Sequence, residues 1–138
     1  MKDSNDSSTP YEQGLKTRRS ILGDAWVDQS LANKTEFNSD FQEFITEYAW
    51  DGIWNRPGLD RKTRRFMVLS VTLALGRWDE FELHVRAALT ATDSTALTAH
   101  EIKEVLMQNA IYAGIPVANT GFKLAQKILD DVTEGRSL

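Results

Sequence analysis

The chain has 138 residues, enough for one domain with its own core, and 41% hydrophobic against 26% charged residues rules out wholesale disorder. With no cysteine, disulfides, thiolate metal sites and cysteine nucleophiles are excluded, and with only two histidines, His84 and His100, a His-rich metal site is not expected. The 20 acids against 16 bases, a net charge of −4, speak against nucleic-acid binding, and no apolar run approaches the ~18–20 residues of a membrane span.

Residues 1–10 (MKDSNDSSTP) read as a flexible polar tail ending at Pro10, with no apolar stretch of a secretory signal, so a cytoplasmic protein is expected. Residues 11–138 are expected to form a single domain. The first helix spans 11–22, weakened by Gly14 and stopped by Gly23. A short helical piece follows over 25–32. Asn38 or Ser39 can cap the next segment, where Phe41, Phe44, Ile45, Tyr48 and Ala49 recur at i, i+3, i+4, i+7 and i+8, the pattern of one buried stripe. Pro57-Gly58 ends it.

Asp60 can cap a fourth segment, which is apolar almost all round from 66 to 75 (FMVLSVTLAL). The basic turn 61–65 leads into it without a break and no convincing second strand exists to pair with it, so it reads as a central helix ending at Gly76. Residues 77–91 form a helix that turns Trp78, Phe81, Val85, Ala88 and Leu89 to one side. Thr98 and Glu101 have capping-box spacing and open a helix to about residue 113. Gly114-Ile115-Pro116 breaks the chain, and the last helix carries Ala118, Phe122, Ala125, Ile128, Leu129 and Val132 inward, fraying at Gly135. The expected fold is all-α, a helical bundle of six or seven helices with short connections.

Two stretches depart from ordinary solvated helix surface. Arg77, Glu80 and His84 stand at i, i+3 and i+7 and form a polar line beside the Trp78/Phe81/Val85 stripe. A cation, a carboxylate and an imidazole on such an edge can bind an anion and move a proton. From this helix alone a satisfied boundary histidine in a salt-bridge line is the commoner reading. Glu82 and Arg86, in the favourable i, i+4 order, read as a surface ion pair. The second stretch, Arg61-Lys62-Thr63-Arg64-Arg65, places four cations in a first helical turn, against the helix dipole, which is easier to understand if some carry anionic partners.

Trp50 and Trp54 share a helical face and suit core or subunit-interface filling more often than pocket lining. Tyr112 and Asn119 flank the Gly-Ile-Pro break, where they could reach a pocket or satisfy the turn. His100 is expected to be exposed and without a role. A phosphate-binding loop, a dinucleotide glycine fingerprint, His-Glu-x-x-His and a nucleophile-elbow serine are all absent.

Several segments in order resemble the carboxymuconolactone decarboxylase family: LGDA at 22–25, EYAW at 47–50, RPGLDR at 56–61, ALGRW at 74–78, LHVRAAL at 83–89 and YAGIPVAN at 112–119. The similarity runs from about residue 11 to 132. It implies an all-α, alkylhydroperoxidase D-like, cofactor-free and metal-free enzyme, assembled as a homohexamer. The implied reaction is decarboxylation of 4-carboxymuconolactone to 3-oxoadipate enol-lactone and CO2, within protocatechuate breakdown by the β-ketoadipate pathway. The redox relatives of the wider superfamily carry Cys-x-x-Cys-x-x-x-His on this helix. In that frame His84 keeps the histidine position while Arg77 and Glu80 replace the cysteines, which excludes a thiol peroxidase.

The resemblance makes His84 the proton donor tuned by Glu80, Arg77 and Arg64 the carboxylate-binding candidates, and Trp50, Tyr112 and Asn119 further substrate-contacting candidates. The chain departs from the family at Trp26, where similar decarboxylases often carry His, at Asp51-Gly52 in place of Gly-Glu, and at Arg65, where the redox relatives carry a glutamate. Other readings are a cofactor-free enzyme acting on a different lactone or keto acid, and a catalytically silent helical oligomer that binds a small acid.

Overall fold

Every regular element in the computed structural model, which describes residues 7–136, is helical. Seven α-helices and one π-helical turn fall into two compact units, divided after Asp60. Residues 1–6 of the expected tail lie outside the described residues. The first helix starts one residue inside that tail, because the Thr9 hydroxyl accepts from the Glu12 amide and Pro10 stands at a first-turn position where its missing N–H costs nothing.

In the first unit, α1 (Pro10–Leu22), α2 (Asp24–Ala32) and α3 (Ser39–Ile45) appear where the punctuation places them. Gly23, at φ 93°, ends α1 in a conformation that disfavours other residues. Asn38 precedes α3 but does not cap it with its side chain; its Oδ1 accepts instead from the Thr35 amide at 2.8 Å. α3 then widens into a π-helical turn, Thr46–Asp51, with five-residue hydrogen bonds from Gly52 N to Glu47 O (2.9 Å) and from Trp54 N to Ala49 O (3.0 Å).

α1 packs on this turn through its weak-looking glycine. A Cβ at Gly14 would stand 2.0 Å from the Thr46 carbonyl oxygen, so Gly14 is a crossing point rather than a flaw. The side chains on that face settle against α1: Thr46 and Trp50 are buried, and Arg18 donates to Gln42 at 3.2 Å. The expected buried stripe is consequently turned outward. Phe41, Phe44 and Tyr48 are all more than half exposed, because a helix that buries its Thr46 and Trp50 face presents the opposite one to solvent.

The second unit holds α4 (Arg61–Ala74), α5 (Trp78–Thr90), α6 (Ala99–Tyr112) and α7 (Ile115–Thr133) around one core. Leu69, Leu73, Phe81, Val85, Ala88, Leu97, Ile102, Leu106, Ala125 and Ile128 interdigitate there. The capping box at Thr98 and Glu101 forms in both directions, at 3.0 Å each way. Gly76 and Gly114 turn the chain at φ 67° and 116°. At Gly121 α7 passes so close to its neighbours that a Cβ would meet Leu106 and Leu73 side chains at 2.6 Å.

Two expectations fail in this unit. The central helix is not surrounded: Met67, Val71 and Leu75 stand at least half exposed, and Phe122 is also more exposed than its place in the stripe suggests. Arg86 does not settle with Glu82 on the surface. It reaches α7 and donates to Asp131 at 3.2 Å in a largely buried pair.

Candidate active site around His84

The basic turn that opens α4 divides into groups with different destinies. Lys62 ties α4 to the first turn of α6 through Glu101, 3.0 Å away. Arg64 is half-buried. Arg65 points inward, 1% exposed, and heads the fully buried side chains by volume among the described residues. The cause is positional: Arg65, Leu69, Thr72 and Leu73 fall at i, i+4, i+7 and i+8, so the arginine continues the stripe that packs the core.

Its guanidinium is held by one edge. Nε donates to the Thr95 hydroxyl oxygen at 3.3 Å. That hydroxyl donates in turn to Asp93 Oδ1 at 2.6 Å, and the same carboxylate oxygen accepts from the Thr95 amide at 2.9 Å. These bonds, with lesser help from Arg65 and Arg61, hold the Asp93 carboxyl below its usual range. Both terminal nitrogens of Arg65, Nη1 and Nη2, are buried without a hydrogen-bond partner. Burial pushes the Arg65 pKa down, opposed by the charge of Asp93.

His84 stands one helix away on α5, at 7% exposure, between the core residues Phe81, Val85 and Ala88. Its Nδ1 is buried and also lacks a partner, while Nε2 lies 3.9 Å from Glu80 Oε2. Burial, and then the positive charge of Arg65, lower its pKa to about 4. The expected tuning by Glu80 therefore does not dominate. Glu80 is mostly in water, where its charge is screened, and the buried cation acts in the opposite direction. At neutral pH the free protein holds His84 uncharged.

The structure brings His84 and Glu80 together on one helix. Arg77 caps α5 at its N-terminal end, without a side-chain cap hydrogen bond. Tyr112 ends α6 at 81% exposure, and Asn119 is exposed on α7. Trp50 belongs to the first unit, where it stacks on Trp54 with ring centroids 5.5 Å apart. His100 is exposed as expected, with Glu104 3.9 Å away. Among the described residues no group of three or more His, Cys, Asp or Glu side chains could hold a metal ion.

Arg65 was not among the expected site residues. Its spacing to Leu69 and Leu73 carried the signal, because a cation on a core stripe is a group whose burial needs a reason. What results is a buried imidazole and a buried guanidinium with three polar atoms turned to no protein partner. Such a pair can take an anion and handle a proton.

Residues 39–127 match the family described as the carboxymuconolactone decarboxylase family. The chain is 41% identical over 122 residues to a 4-carboxymuconolactone decarboxylase of Acinetobacter baylyi, covering 88% of each. It is 36% identical over 124 residues to a nitrosuccinic acid decarboxylase of Metarhizium robertsii, covering 90% of this chain and 84% of that one. A 44-residue stretch is 46% identical to a 4-carboxymuconolactone decarboxylase of Pseudomonas putida, spanning 32% of this chain and 92% of that sequence.

Proposed function

The chain belongs to the carboxymuconolactone decarboxylase family, and from that premise we propose that it converts 4-carboxymuconolactone to 3-oxoadipate enol-lactone and CO2 without a cofactor. The observation that carries the choice of substrate is the 41% identity to the Acinetobacter baylyi decarboxylase across 88% of both chains. The buried His84, with Nδ1 unpartnered, supports an acid-base role on the same helix.

The chemistry asks little of the protein beyond charge and a proton. The ring carbon that carries the departing carboxylate is vinylogous to the lactone carbonyl. When its bond to the carboxylate breaks, CO2 leaves and the electron pair spreads through the ring onto the carbonyl oxygen, giving an aromatic oxyfuran anion. A proton delivered to the ring carbon beside the carbonyl restores the lactone and completes the balance. His84 is the proposed carrier of that proton, with Glu80 adjacent. Arg77 and Arg64 are proposed to grip carboxylate oxygens, which a guanidinium does in two parallel hydrogen bonds.

The reading includes assembly with further copies, a hexamer by resemblance, and a place in cytoplasmic protocatechuate breakdown. The exposed rows of Met67 and Val71 on α4 with Leu75 just beyond it, and of Met107, Ile111 and Tyr112 on α6, support assembly. No helix among the described residues is long and apolar enough to cross a membrane.

The test is an assay with 4-carboxymuconolactone, following CO2 and the enol-lactone, repeated after metal chelation. Turnover that survives chelation is expected. Turnover of nitrosuccinic acid without turnover of the lactone would transfer the assignment to the chemistry named for the Metarhizium robertsii relative.

A further inference from the structure

We propose that Arg65 is a buried carboxylate receptor, that it takes the carboxylate the substrate retains, and that this docking loads the proton onto the neighbouring His84. The inference rests on the decarboxylase reading for the identity of the anion, but its geometry stands independently. A guanidinium 1% exposed has its Nε held by Thr95 and both Nη atoms without hydrogen-bond partners, so the donors of its end-on fork are unsatisfied by the protein. A buried cation left in that state is retained where a ligand compensates it. The planar carboxylate matches the fork with two parallel bonds.

The choice between the two carboxylates follows from the reaction. A cation stabilises a carboxylate more than the neutral CO2 it becomes, so gripping the departing group would lower the ground state and slow its loss. Arg65 is useful only against charge that persists or grows. That means the acetate arm, which keeps its charge throughout.

The consequence for His84 is electrostatic. In the free protein it is buried and feels the charge of Arg65 from α4, both of which favour the neutral ring. Glu80, on its own helix, is 3.9 Å away but solvated. Asp93, in the segment between α5 and α6, sits behind Thr95 and acts on Arg65. Of the acids on the packed helices, Glu101 of α6 pairs with Lys62 and Asp131 of α7 with Arg86 and Arg136, while Glu104 lies 3.9 Å from His100 and Asp130 accepts from Gln126. A carboxylate on Arg65 cancels the opposing charge and brings its own, so the imidazole gains a proton from solvent as substrate binds. The enzyme would thus carry its acid only when there is something to protonate.

The chain offers a clean readout, because its two histidines include one exposed control, His100. Their ring Cε1–H resonances are titrated in the intact protein with and without succinate, an unreactive dicarboxylate. Succinate is expected to raise the His84 pKa by about one unit or more and to leave His100 unchanged. In Arg65→Met the His84 pKa should already be raised in the free protein, and succinate should no longer move it. Arg65→Lys keeps the charge and loses the fork; His84 should stay low in the free protein and need at least roughly tenfold more succinate. That variant carries the test if Arg65→Met does not fold. Succinate that leaves His84 unmoved in the wild type, or moves it equally in the variants, overturns the proposal. Lactone turnover plays no part in this measurement, so a failure here and a failure of the substrate assignment are separable.

Discussion

Replacing His84 by Gln should make the protein less sensitive to acid, and the size of the effect follows from its burial. The ordinary histidine pKa of 6.5 falls to about 4 in the folded protein. Between those values the unfolded chain binds a proton that the native one refuses, so stability falls as pH falls through that window. That difference corresponds to a few kcal/mol, on the order of 3, once both states are protonated. Most of it is lost early: taking the pH from 7 to 5 should remove about 2 kcal/mol from the wild type through this one group. A glutamine side chain does not titrate, so the stability difference between wild type and His84→Gln should shift by that amount over the same range. Carboxylates held low by hydrogen bonds, Asp93 and Asp131 among them, weaken both proteins equally and cancel in the difference. Urea unfolding at pH 7, 6 and 5, at one protein concentration, measures it. Parallel pH profiles for the two proteins would mean that His84 is not held neutral by its surroundings, and the argument for a substrate-loaded proton would lose its starting point.

If His84 carries the catalytic proton, His84→Gln should keep fold and assembly and lower turnover of 4-carboxymuconolactone by ~10²-fold or more, while Glu80→Gln, removing a solvated neighbour, should cost far less. Near-normal turnover of a folded His84→Gln protein would move the proton donor elsewhere. Gly14→Ala should destabilise by at least ~2 kcal/mol in urea unfolding, because the added methyl meets the Thr46 carbonyl, a backbone atom that cannot rotate away. A stability within roughly 0.5 kcal/mol of wild type, the scatter of neutral surface changes, would show that α1 does not cross there. Sedimentation equilibrium at micromolar concentration should find an oligomer, given the exposed rows Met67, Val71, Leu75 and Met107, Ile111. A monomer would refute it.

Helix existence was legible because its signals are local. The capping box at Thr98, the glycines at 23, 76 and 114 and the unbroken run into the central helix depend on residues within one or two turns of each other, and each forms as read. Burial was legible only where one partner face is available. The Phe41/Phe44/Tyr48 stripe has the same spacing as a core stripe, and periodicity cannot tell whether the partner is another helix of the chain or something outside it. Gly14 failed for the same reason in reverse. Propensity counts a glycine as a loss, whereas the crossing with Thr46 is a distant contact that makes it necessary.

The site shows the limit most sharply. Arg77, Glu80 and His84 were visible as a line because they share one helix, and the line survives as a capping residue, a solvated carboxylate and a buried ring. Arg65 was set apart as a departure from the redox relatives, yet it is the residue whose charge adds to burial in keeping His84 neutral. A four-cation run looks like solvated surface until the stripe below it is counted. Arg65 lies four and eight residues ahead of Leu69 and Leu73, and continuing an apolar stripe upstream into a charge run identifies the one cation that has to go inside. An arginine in the place of a glutamate also reverses the chemistry available to the histidine. A carboxylate there would favour the charged ring, whereas the guanidinium adds to burial in lowering its pKa. Under the proposed function this arginine is what couples the protonation of His84 to an anion, through electrostatics that no motif on α5 alone contains.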